Sequence, residues 1–385
     1  STPLPPSPPS STIVTAGLLS YDRTAHLGSK SQQVYRGTYQ DSLRGEVACA
    51  IKAIPAALKA LADREVEVLI ETEEHPNIVT VMHKEVNDQW HLLALDLCDG
   101  TLEQWVTGTL PKEANSNTSG SMQTATRGGR VSALPTLLQR REACREIARG
   151  MAFLHDVVNV VHRDMKPSNV LMKGGVAKVS DMGIAKKTES RNTVTSMGAG
   201  TRGWQARELL EIEEAEAEMG MEKRGRKLTR LELQRADVFA LGLVFYFCLT
   251  GGHHPFDKVL PGGRRHRLYR EANILERNSP DLQSLARLLE RSLGASSSCV
   301  QEACDLLRRM LSHVAARRPS VADVLRHAFF MSVEDKLARL LAVEKWAADV
   351  KSEGGAQRRA AVNGVRLDDD WRVGVKGLWE AYDGG

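Results

Sequence analysis

Apolar residues change their spacing along the chain, from short runs in the first part to helical periods in the rest. Between residues 20 and 97, runs rich in Val, Ile, Leu and Tyr alternate with turns, which is typical of a small sheet. Glu65 lies in a stretch with helical spacing, 60–73, and is available to face inward. The pattern predicts a sheet that carries one helix, with strands at 34–37, 47–52, 78–82 and 93–96.

From residue 102 onward, helical spacing predominates. The predicted helices cover 137–155, 238–249, 303–311 and 321–327. The most apolar of them, 238–249, is shorter than the roughly 18 to 20 residues that cross a bilayer, so we expect a buried core helix. The chain is therefore predicted to be an α+β protein with a small β-rich N-terminal lobe and a larger α-helical C-terminal lobe.

Three stretches depart from this pattern. Residues 1–19 begin with a Pro/Ser-rich tract, which predicts a linker in extended polyproline form. Residues 107–132 are rich in Ser, Thr, Gly and Asn, and we expect a disordered surface insertion there. Residues 211–235 carry an acidic run followed by a basic one, which is more often a solvated helix than a binding site. We expect neither of the last two stretches to carry the chemistry.

Composition narrows the class of protein. A chain of 385 residues with 42% hydrophobic residues is long enough for two packed lobes and too apolar to be disordered overall. The net charge of +4 gives no strong field toward nucleic acid or a membrane surface, so we expect no DNA partner. The 6 cysteines are scattered without a C-x-x-C pair, which argues against a zinc site and a disulfide-rich secreted fold. We therefore expect a reducing compartment.

Two short polar motifs carry the chemistry. Residues 162–169 read His-Arg-Asp-Met-Lys-Pro-Ser-Asn, and residues 180–183 read Ser-Asp-Met-Gly. This spacing is typical of phosphoryl transfer from ATP: Asp164 accepts or orients the hydroxyl proton, while Asn169 and Asp181 hold Mg²⁺ at the phosphates. A chance match in a polar loop is the alternative, but this spacing is hard to meet by accident. The motifs predict a protein kinase.

Three further charged residues join Asp164 in the predicted catalytic set. Lys52 ends an Ala-Ile-Lys run where a kinase lysine grips the α and β phosphates, although a lysine after a strand is usually a surface charge. Glu65 lies on the next helix and is placed to pair with Lys52. Lys166 would neutralise the transferring phosphoryl group, a placement typical of kinases that act on serine or threonine.

The phosphate-binding loop is the weakest match. Residues 27–34 keep Gly28 but have Lys30 and Gln33 near the other glycine positions of G-x-G-x-x-G-x-V. Met182 replaces Phe in the D-F-G turn, which is a milder change because Met fills a similar apolar volume. We expect these departures to affect nucleotide affinity rather than the chemical step.

Residues 181–208 are the predicted activation segment. Several of its hydroxyl residues lie close to Lys and Arg, and composition leaves autophosphorylation and a plain polar loop both open. Arg163 is placed to hold this segment when it is negatively charged. The candidate acceptors are Thr188, Ser190, Thr193, Thr195 and Ser196.

Two carboxylates outside the predicted catalytic set are expected to stabilise the structure around it. Glu208 is predicted to form a buried ion pair with Arg318, and that pair would be structural. Asp237, at the start of the apolar helix, is predicted to accept hydrogen bonds from the catalytic-loop backbone.

Several short runs give the chain a more specific resemblance. Over most of residues 20–350 it resembles the kinase-endoribonuclease sensors of the unfolded protein response, the inositol-requiring enzyme family. The runs that carry this resemblance are Ala-Asp-Arg-Glu-Val at 62–66, Glu-His-Pro-Asn-Ile at 74–78, Leu-Asp-Leu-Cys at 95–98 with Thr-Leu at 101–102, Gly-Thr-Arg-Gly-Trp at 200–204 and Phe-Phe-Met-Ser at 329–332.

The resemblance implies a two-lobed protein kinase fold and an adenine site between the lobes. Leu95 would be the gatekeeper, and the backbones of Asp96 and Cys98 would hold adenine; otherwise Cys98 is simply a small buried hydrophobe. The predicted nucleotide-binding residues are Gly28, Val34, Ala50, Lys52, Leu95, Asp96, Cys98, Asn169, Leu171 and Asp181, with Asn169 and Asp181 as the metal ligands.

The family also carries a ribonuclease domain directly after the kinase lobe. Residues 346–371 resemble only its opening, with Asp-Asp-Trp at 369–371 matching an early motif. We therefore expect no ribonuclease activity here, and contact with RNA only through a domain largely missing from this chain. A membrane segment would lie upstream of Ser1, so the expected location is cytosol-facing, on the endoplasmic reticulum membrane in the intact protein.

Two functions from different classes follow. The first is an ATP- and Mg²⁺-dependent serine/threonine kinase that phosphorylates itself in trans within a homodimer. The second, favoured by the altered phosphate loop, is a nucleotide-binding pseudokinase that controls dimerisation without phosphoryl transfer. The expected domains are the linker at 1–19, the kinase N-lobe at 20–97, the C-lobe at 98–331 and a truncated ribonuclease-like helical start at 332–385.

Overall fold

The computed structural model describes residues 12–27, 33–72, 75–111, 134–182, 186–187, 200–219, 228–259 and 265–351. Some predictions fall outside these residues. They concern Gly28, most of the insertion at 107–132, the candidate acceptors at 188–196 and the Asp-Asp-Trp run at 369–371.

The N-terminal lobe is a six-stranded antiparallel sheet with strand order β1-β2-β3-β4-β6-β5. One helix, α1 (Lys59–Glu71), follows β4 along the chain, as predicted. The apolar interior of the sheet includes Leu19, Ile51 and Leu92. The strands are β1 (Ile13–Ala16), β2 (Leu19–His26), β3 (Val34–Asp41), β4 (Gly45–Pro55), β5 (Val81–Val86) and β6 (Trp90–Asp96).

Two parts of this sheet differ from the prediction. β1 and β2 had not been predicted as strands, and β1 lies within the stretch interpreted as a linker. The strand predicted at 78–82 begins only at Val81. Ile78 instead forms a bridge with Val179, and the Val79 amide donates to the Val179 carbonyl at 2.9 Å. Residues 78 and 79 therefore pair with the C-terminal lobe, while the Thr80 carbonyl accepts the Asp96 amide at the end of β6 at 3.1 Å.

The C-terminal lobe is mainly helical, which confirms the predicted two-lobed α+β fold. Short strands accompany the helices: β7 (Gly100–Thr101) joins the hairpin of β9 (Val170–Lys173) and β10 (Val176–Val179), β8 (Val160–Val161) pairs with β11 (Lys186–Lys187), and β12 (Lys258–Val259) pairs with β13 (Arg265–His266). The helices are α2 (Leu102–Thr107), α3 (Leu137–Asp156), α4 (Arg207–Met219), α5 (Arg230–Thr250), α6 (Arg270–Leu275), α7 (Leu282–Leu293), α8 (Ser297–Met310), α9 (Val321–Leu325) and α10 (Val333–Lys351).

Helix α5 is the centre of this lobe. A capping box between Thr229 and Glu232 starts the helix, and Gly251 in the left-handed conformation ends it. By length and composition α5 could cross a membrane, but 89% of its most apolar window is buried inside the fold. The predicted buried core helix is therefore confirmed.

One buried ion pair joins α4 to the segment before α9. The Arg318 guanidinium donates to both carboxylate oxygens of Glu208, at 2.6 and 2.9 Å. Its remaining donors reach the carbonyls of Ser312 and Arg235 at 2.7 and 3.0 Å, and its plane lies 4.9 Å from the ring centre of Phe239. The predicted Glu208–Arg318 pair is confirmed, and the guanidinium is fully enclosed by its partners.

We predict that Glu208→Gln lowers the free energy of unfolding by about 3 to 5 kcal/mol, because it leaves a buried guanidinium without its counter-charge. Chemical denaturation of the whole chain measures this loss. Glu211→Gln is the matched control, because Glu211 pairs with Arg207 at the exposed side of the same helix and its loss should cost at most about 1 kcal/mol. Equal effects of the two variants would contradict the structural role of Glu208.

Candidate active site

Lys52 lies at the junction of three elements. Its ammonium on β4 donates to both carboxylate oxygens of Glu65 on α1, at 2.7 and 2.8 Å. The same ammonium donates to Asp181, in the loop after β10, at 2.9 Å. The predicted Lys52–Glu65 pair is therefore present, and it extends to one of the two predicted metal ligands.

The charges of this junction stabilise one another. Burial alone would lower the pKa of Lys52, but the Glu65 and Asp181 carboxylates outweigh burial and raise that pKa above its ordinary value. Burial alone would raise the pKa of Asp181, but the nearby Lys52 ammonium holds it below its ordinary value. Lys52 is therefore a cation and Asp181 an anion at neutral pH.

A second polar cluster surrounds Asp164. Lys166 donates to Asp164 Oδ2 at 2.5 Å and to Thr201 Oγ1 at 2.6 Å, while the Thr201 hydroxyl donates to Asp164 Oδ1 at 2.6 Å. The Asn169 amide donates to the backbone carbonyl of Asp164 at 2.8 Å and to its Oδ2 at 3.1 Å. Both carboxylate oxygens are thus oriented from several sides.

Thr201 is a contact that sequence reasoning missed. In the sequence it belongs to the Gly-Thr-Arg-Gly-Trp run, which predicts no role for its side chain. It lies 37 residues beyond Asp164, so no local pattern links the two. The only sequence feature that points to Thr201 is its position: it is a hydroxyl residue in the run at 200–204, shortly after the candidate acceptors at 188–196.

Asp237 fixes the backbone of the catalytic loop. Its carboxylate accepts the amides of His162 and Arg163 at 2.7 and 2.8 Å, and His155 Nε2 lies 2.9 Å from Oδ2. Arg163 has a φ of 70°, in the left-handed region that non-glycine residues seldom adopt. These hydrogen bonds hold the strained turn next to Asp164, and the prediction for Asp237 is confirmed.

The two predicted metal ligands sit on loops that are bonded to each other. Ser180 donates from its amide and its hydroxyl to the Asn169 carbonyl, at 2.9 and 3.0 Å. His162 Nε2 lies 3.0 Å from the Ser180 carbonyl, immediately before Asp181. Asn169 Oδ1 is buried without a hydrogen-bond partner among the described residues. An unpaired amide oxygen and a nearby carboxylate fit Mg²⁺, which commonly takes one or two protein oxygens and completes its shell with phosphates and water.

The predicted adenine-pocket residues come from both lobes. Ala50 on β4 is the cross-strand partner of Leu95 on β6, and Val34 on β3 is the partner of Lys52. Leu171 lies on β9 of the C-terminal lobe. Burial, the main cause, raises the pKa of the Cys98 thiol to about 12, so it stays protonated. Of the predicted nucleotide-binding residues, Gly28 alone is outside the described part of the chain.

The side chain of Asp96, for which the sequence predicts no role, has several partners of its own. Its carboxylate accepts hydrogen bonds from Lys173 at 2.6 Å and from the Thr80 amide at 3.1 Å, and it lies 3.2 Å from the Lys178 ammonium. Burial alone would raise the pKa of Asp96, but the Lys173 hydrogen bond and its other partners hold it below the ordinary value. The side chain therefore binds the connection between the lobes to the β9–β10 hairpin.

Comparison with known proteins gives a consistent result. A family model described as protein kinase domain matches residues 21–330. The chain is 28% identical to the human "Serine/threonine-protein kinase/endoribonuclease IRE2", over 94% of this chain and 34% of the relative. It is 31% identical to the "Sensor for unfolded proteins in the ER ire1" of Schizosaccharomyces pombe, over 86% of this chain and 28% of the relative. The resemblance inferred from the short motifs is confirmed, and the chain spans about a third or less of the length of these relatives.

We predict that Asp237→Asn lowers the free energy of unfolding at neutral pH by about 3 to 5 kcal/mol, because its buried donors lose a carboxylate. Burial alone would raise the pKa of Asp237, but the His155 hydrogen bond and other partners hold it below its usual value. A carboxyl group with a depressed folded-state pKa stabilises the fold above its unfolded pKa, about 4, and loses this effect as pH falls through the folded value. The stability difference between the two proteins should therefore be constant from about pH 7 to 5 and narrow below about pH 4.

Urea unfolding at several pH values measures this difference. Asp63→Asn is the control, since Asp63 pairs with Lys84 at the surface, where solvent screens the pair and its loss should change stability little. A difference for Asp237→Asn that stays constant through the acid range would contradict the assigned role.

Proposed function

Because the chain belongs to the protein kinase family, we propose that this serine/threonine kinase domain transfers the γ-phosphoryl group of ATP to protein hydroxyls with Mg²⁺. The observation that carries the proposal is that the two polar clusters are both assembled. Lys52 contacts Glu65 and Asp181, while Asp164 is oriented by Lys166, and the Ser180 hydrogen bonds join the two clusters.

Each side chain has a defined task in this proposal. Lys52, held by Glu65, is placed to bind the α and β phosphates, and Asn169 and Asp181 would hold Mg²⁺. The metal supplies positive charge at the phosphates when bound. Asp164 orients the acceptor hydroxyl and receives its proton as the hydroxyl oxygen bonds to the γ-phosphorus; the bond to the β–γ bridging oxygen breaks and ADP leaves. Lys166 lies beside Asp164 and balances the charge of the transferring group.

The relatives' names support a wider proposal. They describe a serine/threonine-protein kinase/endoribonuclease and a sensor for unfolded proteins in the endoplasmic reticulum. We propose that this domain phosphorylates a second copy of itself on the hydroxyls at 188–196, and that the intact protein acts at the endoplasmic reticulum membrane. Contact with RNA would require a ribonuclease domain.

The pseudokinase alternative rests on the altered phosphate loop near Gly28. A pseudokinase has no need to keep its catalytic charges, yet Lys52 pairs with Glu65 and Asp181, and Asp164 is held by Lys166 and Thr201. This favours catalysis over a purely scaffolding role.

We predict that the chain incorporates label from γ-labelled ATP in the presence of Mg²⁺, and that Asp181→Ala or removal of Mg²⁺ abolishes incorporation because a metal ligand is lost. Mass spectrometry of the product should place the phosphate among the hydroxyls at 188–196. No incorporation, together with thermal stabilisation by ATP, would instead favour the nucleotide-binding scaffold.

We predict that Asp164→Asn lowers the rate of phosphoryl transfer by about 100- to 10,000-fold, the usual contribution of general acid–base catalysis. Binding of ATP should remain, because Asp164 does not contact the nucleotide in the proposed mechanism. The rise in melting temperature on addition of ATP measures this binding. Asp63→Asn, at the surface of α1, is the control and should keep both properties. A fully active Asp164→Asn variant would rule out the role of Asp164.

A further inference from the structure

A cavity of about 420 Å³ opens beside the catalytic Lys166. Thr201, which contacts Asp164, also lines it, so a peptide with its hydroxyl at Asp164 would place neighbouring residues in this space. The lining includes the cations Lys166, Arg265, Arg267 and Arg270 and the carboxylates of Glu103 and Asp257.

Two of the arginines are anchored to the fold. Arg270 binds both carboxylate oxygens of Asp257, at 2.5 and 3.3 Å, and lies over the Trp204 ring at 5.8 Å from its centre. Arg265 lies 3.1 Å from Asp281, the N-cap residue of α7. These contacts hold the segment that starts at β13 and continues into α6.

Two hydrogen bonds and one ring contact connect this segment to the carboxylate of Asp164. The Trp204 amide donates to the Thr201 carbonyl at 3.0 Å, and the Thr201 hydroxyl donates to Asp164. Gly203 has a φ of 80°, and a β-carbon there would lie 3.3 Å from the Arg270 side chain. The arginine segment therefore packs closely against the turn that contacts Asp164.

Arg267 lies between these anchored residues and is exposed. It has no ion pair or hydrogen bond with another described residue, although it lines the same cavity. Of the two lining carboxylates, Asp257 forms an ion pair with Arg270. Glu103 on α2 has no ion-pair partner in the described part of the chain. The Arg267 side of the cavity therefore presents unused guanidinium donors to an incoming chain.

We propose that this cavity, the arginine pocket, binds an anionic side chain of the protein substrate close to the accepted hydroxyl. The proposal rests on the kinase function proposed above and specifies the substrate class. Guanidinium groups bind carboxylates and phosphates through charge-assisted hydrogen bonds, so the anion is either Asp or Glu or an already phosphorylated residue. Glu103 also lines the pocket and repels such a group, so the expected contact is Arg267, the lining arginine without an ion-pair partner among the described residues.

The test uses the whole chain and synthetic peptides with one serine acceptor. The residues beside the serine are glutamate, phosphoserine, lysine or alanine. We expect kcat/KM to be about 2- to 5-fold higher for the anionic peptides than for the alanine peptide, the size of one partly exposed ion pair, and lowest for the lysine peptide. A larger value for phosphoserine than for glutamate identifies a primed substrate; the reverse identifies a simple acidic one.

Arg267→Glu should abolish or reverse this preference, because it exchanges the sign of the unpaired charge. Arg291→Glu is the matched control, since Arg291 is exposed on α7 and does not line the pocket; it should leave the preference unchanged. Equal kcat/KM for all peptides, or the same loss in both variants, would overturn the proposal.

Direct binding separates this inference from the proposed catalysis. Fluorescence anisotropy with the same labelled peptides should show tighter binding of the anionic ones, and Arg267→Glu should remove that difference, whether or not phosphate is transferred. Absence of phosphoryl transfer with this binding preference intact would refute the kinase proposal alone. Equal binding of anionic and lysine peptides would refute the arginine pocket alone.

Discussion

The fold of the candidate site depends on a single ammonium group, that of Lys52. It connects strand β4 of the sheet, helix α1 and the loop after β10, through Glu65 and Asp181. Glu65 is almost fully buried, so its carboxylate has little access to water that would replace the lysine. Loss of any of the three charges would leave another one poorly compensated, which is costly in a buried setting. The position of α1 and the position of Asp181 are therefore not independent.

The second cluster depends on the first through backbone bonds. Asp181 follows Ser180, whose carbonyl contacts His162 and whose amide and hydroxyl bind the Asn169 carbonyl. His162 in turn is held by Asp237 from the core helix α5. A buried polar network of this kind specifies one arrangement when all its members are paired. It explains why the apolar helix α5, which begins at Arg230, carries a buried carboxylate at Asp237 that contributes nothing to its hydrophobic packing.

The charged contacts were easier to predict than the strands around them. Lys52, Glu65, Asp237 and Arg318 lie in short motifs in which residue type and spacing imply a partner. The hydroxyl of Thr201 and the side chain of Asp96 carry no such local signal, because their partners come from distant segments brought together only by the fold. β1 was missed for a different reason: its residues are exposed or half-buried, so its pattern does not show the strong alternation of a core strand.

The error at residues 78–80 has a physical cause that also bears on how the two lobes are joined. Ile78 and Val79 are buried as in a strand, but they pair with Val179 of β10. Asn77, just before them, also donates from Nδ2 to the Ala177 carbonyl at 3.1 Å. Gly150 on α3 permits this approach, since a β-carbon there would lie 2.6 Å from the Asn77 carbonyl oxygen.

Asp96 forms a second connection to the same hairpin through Lys173 and Lys178, and Lys178 also donates to the Ile78 carbonyl at 3.2 Å. Both connections thus end on the β9–β10 hairpin, which carries Leu171 at the proposed adenine site. Two attachments at separate points resist rotation better than one, so the β9–β10 hairpin, Asp96 at the end of β6 and the segment before β5 should move as one unit.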